Sequence, residues 1–103
     1  MKLWLDDVRE PWKHGCIGWE WAKTAQEAIS LLKTGTVTEA SLDHDLSELA
    51  TIGMAPKGEE TGYTVVCWME DNNVWPENGV KVHSMNPVGK ERMLQVISKH
   101  YEN

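Results

Sequence analysis

Three apolar residues in succession, Leu3-Trp4-Leu5, break off into two carboxylates, Asp6-Asp7. A strand with one wet face alternates apolar and polar residues, whereas a strand covered on both faces reads as an unbroken apolar run. The run therefore predicts a central strand, and the carboxylates mark where it emerges into solvent. Strands of this kind belong to parallel sheets, whose neighbours need long crossover connections, usually helical.

The rest of the chain supplies them. Trp19, Glu20 and Trp21 alternate and predict a second strand with one polar face. Between the two, residues 8–18 hold Pro11, Gly15 and Gly18 without a helical period and read as a loop. Residues 24–33 are the clearest helix: Thr24 and Glu27 form a T-x-x-E capping box, Ala25, Ala28, Ile29 and Leu32 fall at helical spacing, and Gly35 follows the end. Residues 38–43 read as a third strand, 61–71 as a second helix with Val65, Trp68 and Met69 on one side, and 80–83 as a fourth strand. Asn86-Pro87 then starts a last helix, since Asn caps and Pro loses nothing at the first helical position. Met93, Val96, Ile97 and Tyr101 line one face of it. Residues 46–60, with Gly53, Pro56 and Gly58, form a long loop for so small a domain, and long loops are often functional lids.

The order β-β-α-β-α-β-α predicts one α/β domain over residues 1–103, a small flavodoxin-like three-layer fold. Its mainly parallel four-stranded sheet has the order 2-1-3-4, with helices on both faces. The first connection stands out, because a parallel crossover normally carries a helix and this one shows none.

Charge and composition narrow the function. A net charge of -6 disfavours duplex and long single-stranded nucleic acid, whose binding depends on neutralising phosphates. It leaves room for a small nucleotide held through a cation. Six Trp and no Phe make the Trp side chains the expected aromatic bulk of the core, Trp4, Trp19, Trp21 and Trp68 first among them. Trp12, close after Arg9, is placed to stack on a base. Cys16 and Cys67 form no C-x-x-C pair, no signal peptide opens the chain, and no apolar run approaches membrane-spanning length. A cytoplasmic protein with reduced thiols and no membrane contact is expected.

In open parallel sheets, ligands bind beyond the carboxyl ends of the strands where the strand order reverses. At that rim the sequence places Asp6, Asp7 and Arg9 after strand one, Asp43, His44 and Asp45 after strand three, and His83, Ser84 and Asn86 after strand four. Crowded carboxylates need a hard cation to stay ionised together, which points to Mg²⁺ or Mn²⁺. The imidazoles suit general acid–base work near neutral pH. The free N–H groups after Asn86 form an anion site, and Arg92 in the next turn offers a charged fork to a phosphate. Any one of these residues has an ordinary structural reading as a solvated turn, a cap or an edge histidine. Turn chemistry alone does not account for polar groups at three strand ends on one rim.

Three motifs carry a resemblance: Leu5-Asp6-Asp7-x-Arg9-x-Pro11, then Leu42-Asp43-His44-Asp45-Leu46, then Val82-His83-Ser84-x-Asn86-Pro87-x-Gly89-x-x-Arg92-Met93. From end to end, the chain resembles the cyclic-phosphate-processing receiver-like domains, derived relatives of response-regulator receivers. The resemblance implies that Asp6 and Asp7 match the receiver's Mg²⁺-holding acidic pair. Asp43 sits where a receiver's phosphoacceptor would be, and Ser84 matches its phosphoryl-contacting hydroxyl. His44 and His83 are additions. A receiver's strand-five Lys has no counterpart, with Arg92 or Lys90 as stand-ins, which favours hydrolysis over a phosphorylation switch. The Gly-rich stretch expected after the second motif is replaced by Ser47-Glu48-Leu49.

The expected function is thus a metal-assisted phosphodiesterase acting on a cyclic phosphate, either an RNA 2′,3′-cyclic end or a cyclic (oligo)nucleotide. Asp6, Asp7 and Asp43 would hold the metal, and His44, His83 and Asp45 would carry the proton chemistry. Arg9, Ser84, Asn86 and Arg92 would bind the phosphate. The alternatives are a module that sequesters a cyclic nucleotide without turnover and a vestigial receiver serving as an interaction domain.

Overall fold

A computed structural model of the protein describes residues 1–46 and 60–102. The expected lid over 46–60 therefore lies outside the described residues, apart from Leu46 and Glu60 at its ends. Four strands, Lys2–Leu5 (β1), Glu20–Ala22 (β2), Glu39–Leu42 (β3) and Val80–Val82 (β4), form one sheet in the order β2-β1-β3-β4. All three pairings are parallel, and β1 is central as its unbroken apolar run required.

Three helices, Ala25–Leu32 (α1), Gly62–Asn72 (α2) and Pro87–Tyr101 (α3), follow β2, β3 and β4. Each starts at a side chain that satisfies a first-turn N–H. Thr24 accepts from the Glu27 N–H (3.1 Å), Thr61 from the Tyr63 N–H (3.2 Å), and Asn86 from the Gly89 N–H (3.0 Å), with Pro87 in the first turn of α3. The Thr64 hydroxyl returns the favour by accepting from the Thr61 N–H, closing a capping box that the sequence pattern did not announce.

Register assigns the faces of the sheet. Leu3 and Leu5 lie level with Ala40 and Leu42, which lie level with Val80 and Val82. These six side chains join Ala25, Ala28, Ile29, Leu32, Val65, Val66, Met69, Met93 and Ile97 in one apolar core. All three helices contribute to it, with α1 packed on α2 and α2 on α3. Helices were expected on both faces, and they occupy one. The physical reason is direction. The steps β2-α1-β3 and β3-α2-β4 both advance the same way across the sheet, so right-handed crossovers put both helices on the same side.

Only β1 to β2 runs the other way, and that connection covers the opposite face with a loop containing a short 3₁₀ turn, Pro11–His14. Four residues are too few to show a period in the sequence. Gly15, at φ 82°, ends the turn in a left-handed conformation that suits glycine. Trp4 and Trp21, level with each other on this face, anchor it. Trp4 donates to the Arg9 carbonyl (2.9 Å) and Trp21 to the Asp6 carbonyl (2.7 Å). Trp4 also stacks on His14, and Trp21 meets Trp12 edge-on. The tryptophans are thus not the bulk of the aliphatic core. Trp4 and Trp21 serve the loop-covered face, Trp68 and Trp75 pack at the core margin, and Trp19 lies beneath the Lys2 ammonium.

Candidate functional site

Leu5, Leu42 and Val82 stand level in the sheet and end their strands. The next residues are Asp6, Asp43 and His83, and backbone pairing carries on through them: Asp43 N–H donates to the Leu5 carbonyl (2.9 Å) and His83 N–H to the Leu42 carbonyl (3.0 Å). Side chains alternate along a strand, so these three turn away from the helices, onto the loop-covered face. One donor atom from each lies within 4.8 Å of the others. Asp6 is fully buried and Asp43 nearly so.

Each carboxylate is held by a dense set of partners. Asp6 Oδ1 accepts the N–H groups of Val8 (3.0 Å) and Arg9 (2.9 Å), fixing the turn out of β1. Asp6 Oδ2 faces His83 Nε2 at 3.1 Å and Arg9 Nε at 3.2 Å. Arg9 Nη2 reaches Asp43 Oδ2 at 3.5 Å, so one guanidinium spans both carboxylates. Asp43 Oδ1 accepts the His44 N–H (2.8 Å), and the Ser84 hydroxyl lies near enough to Asp43 to favour its ionised form. Ser84 in turn accepts the Asn86 N–H (3.0 Å).

Burial dominates the electrostatics. It pushes Asp43 up to about 6, aided by the charge of Asp6 and opposed by Arg9, the His44 N–H and Ser84. It pushes His83 below its ordinary value, against the pull of Asp6, and so keeps the ring neutral. That ring is fixed on both edges and one face. It stacks on Trp4 at 3.9 Å and 5°, donates through Nε2 to Asp6, and pairs through Nδ1 with the Ser41 hydroxyl at 2.8 Å. A hydroxyl can accept as well as donate, so Ser41 also tolerates the tautomer that frees Nε2 for a cation.

A second group gathers where β3 meets α3. His44 Nδ1 donates to Asp45 Oδ1 (2.8 Å), and Asn86 Nδ2 donates to the same oxygen (3.3 Å). This fixes the His44 tautomer and leaves Nε2, in the neutral ring, with its lone pair. Among the described residues nothing bonds that nitrogen. Two glycines permit the close approach. A Cβ at Gly89 would stand 2.4 Å from His44 Cγ, and one at Gly62 would stand 1.9 Å from the Asp43 carbonyl oxygen.

The remaining expected site residues lie at the margin. Asp7 is half-buried, its carboxyl raised chiefly by burial, and stands outside the Asp6–Asp43–His83 group. His83, from the end of β4, takes the third place in that group, while Asp7 follows β1 in a bend close enough to Asp6, Arg9 and Asp45 to feel their charges. Arg92 is exposed, with its guanidinium over the Tyr63 ring at 4.5 Å.

These observations meet an independent comparison. A family described as the cyclic-phosphate processing receiver domain matches residues 1–99. The chain belongs to that family. No curated protein and no solved structure matches it. Among the described residues no helix is long and apolar enough to cross a membrane.

In this cyclic-phosphate processing receiver domain, Trp4 and Ser41 support the site, and sequence reasoning placed neither there. The signal was available. Trp4 stands two residues before Asp6 and Ser41 two before Asp43, which puts each on its partner's face of the sheet. Gly62 and Tyr63 gave no comparable signal, since their roles depend on where α2 begins relative to β3.

Proposed function

We propose that the protein is a metal-assisted phosphodiesterase that opens a cyclic phosphate. The observation that carries the reading is the Asp6–Asp43–His83 group, in a chain of the family described as the cyclic-phosphate processing receiver domain. The residues fit a divalent cation on charge. Two buried carboxylates face one guanidinium and a neutral imidazole, leaving a negative charge to balance. Two oxygens and one nitrogen favour Mn²⁺, with Mg²⁺ the harder alternative. Bound there, the cation would supply Lewis-acid polarisation of a phosphoryl oxygen and acidify a water.

The chain's own groups divide the remaining work. His44, oriented by Asp45 and Asn86, takes a proton at Nε2 from the attacking water and returns it to the departing ribose oxygen. His83, engaged at both nitrogens, suits holding the cation better than moving protons. Arg9, Ser84, Arg92 and the N–H groups at the start of α3 are the donors for the non-bridging oxygens. The acidic surface favours a small cyclic nucleotide or an RNA end over duplex DNA. Cys16 and Cys67, both unpaired as disulfides, support a reducing, cytoplasmic setting.

The test is turnover of a panel of cyclic nucleotides and RNA 2′,3′-cyclic ends in Mg²⁺, Mn²⁺ or EDTA. Turnover that EDTA abolishes is expected. Tight binding without turnover in any metal would instead make the protein a sequestering module.

A further inference from the structure

We infer that Arg9 is the resident counter-cation of the site, displaced when a divalent cation binds and thereby released to grip the substrate's phosphate. The inference rests on the reading above that Asp6, Asp43 and His83 hold a cation. Its basis is a conflict over one atom. Asp6 Oδ1 is committed to two backbone N–H groups, so a cation must use Oδ2. Arg9 Nε already lies 3.2 Å from that oxygen, and Nη2 lies 3.5 Å from Asp43 Oδ2. A guanidinium and a metal ion on the same two oxygens would be like charges in contact within a poorly solvated site, so occupancy is exclusive.

The geometry also provides an exit. Arg9's side chain is 32% exposed, against 0% and 5% for its two partners. Its backbone is pinned, with the N–H on Asp6 Oδ1 (2.9 Å) and the carbonyl on Trp4 Nε1 (2.9 Å). The guanidinium can therefore swing to solvent while the residue stays beside the site. A freed planar fork there matches a phosphate's geometry in two parallel hydrogen bonds. Cation and oxyanion binding then strengthen each other, and reciprocally so.

The experiment is calorimetric titration of Mn²⁺ into the wild type and Arg9→Gln, with and without sulfate as a non-reactive tetrahedral anion. Removing the competitor forfeits a charged hydrogen-bonded pair, so Arg9→Gln should bind Mn²⁺ about tenfold tighter or more. Sulfate should tighten Mn²⁺ binding to the wild type and leave Arg9→Gln unchanged. In EDTA the variant should melt below the wild type, and Mn²⁺ should close the gap. Equal or weaker Mn²⁺ binding by folded Arg9→Gln overturns the exchange and leaves the cation site standing. Absence of Mn²⁺ binding to both proteins overturns the exchange and the metal reading together. Should the variant not fold, the wild-type Arg9 Nε–H resonance decides: Mg²⁺ is expected to move it to the position of a solvated arginine. An unmoved signal at saturating Mg²⁺ overturns the exchange.

Discussion

The two faces of the sheet are offset by a single residue along each strand, and the same burial acts on them with opposite sign. Leu5, Leu42 and Val82 face the helices, where leaving water is favourable by about 25 cal/mol per Å² of apolar surface. Asp6, Asp43 and His83 follow them and face the other way, where leaving water penalises the charged form. That penalty is what lifts Asp43 and lowers His83. A site of this kind is affordable only on a scaffold stabilised elsewhere, and here the scaffold is the helix face of the same strands. Residues two apart share a role, whereas residues one apart do not.

If function and stability separate in this way, substitutions should separate too. The largest effect is expected from His44→Ala, which should lower turnover roughly 10²–10⁴-fold with an unchanged melting temperature. A parallel loss of melting temperature would show that His44 belongs to the scaffold. Leu42→Ala, one residue from Asp43 but on the helix face, should cost about 2–5 kcal/mol in denaturant unfolding. It should leave Mn²⁺ affinity of the folded fraction intact, and weakened affinity would mean that the two faces are coupled through the backbone.

Gly89→Ala tests the joint between site and helix. The new Cβ must move the His44 ring, and misplacement by about 1 Å is worth up to roughly 10²-fold in rate. Mn²⁺ affinity should hold, since Asp6, Asp43 and His83 are untouched.

The smallest effect is one of pH, read as wild type minus Asp43→Asn. Folding raises the Asp43 pKa from 3.8 to about 6, so the proton favours the folded state. This contribution is complete below the unfolded value and is lost as pH rises through about 6. In EDTA the melting temperature of the wild type, relative to the variant, should therefore fall across that window. In saturating Mn²⁺, which binds the ionised form, the trend should reverse. A flat difference in EDTA would mean that Asp43 is not desolvated by its setting.

Much of this was legible in the sequence, for identifiable reasons. Leu3-Trp4-Leu5 marked the central strand because burial on both faces removes alternation. Thr24, Thr61 and Asn86 start helices as capping chemistry requires, although only Thr24 and Asn86 were read as caps. Asp6, Asp43 and His83 could be placed on one rim because strand ends share a rim in a parallel sheet. The layer opposite the helices was not legible, because Pro11–His14 is too short to betray a period and its packing depends on Trp4 and Trp21 from distant strands. That His83 joins Asp6 and Asp43 in one group of donors depends on β4 docking beside β3, which spacing along the chain does not reveal. The pairing of Arg9 with both carboxylates follows from side-chain reach, on which spacing is silent.

The matched strand ends also bear on how the chain matures. Asp6 and His83 are bonded across 77 residues of sequence, and Ser41 and His83 across 42. Contacts so remote form late, after the intervening loops have been closed. A nascent chain that has emerged only as far as Asp43 carries both carboxylates and Arg9 but not His83, the imidazole that completes the group. On the proposed reading, capture of a cation by all three donors would wait for β4 to dock, and occupancy of the site would become a readout of completed assembly, silent for every partly built intermediate.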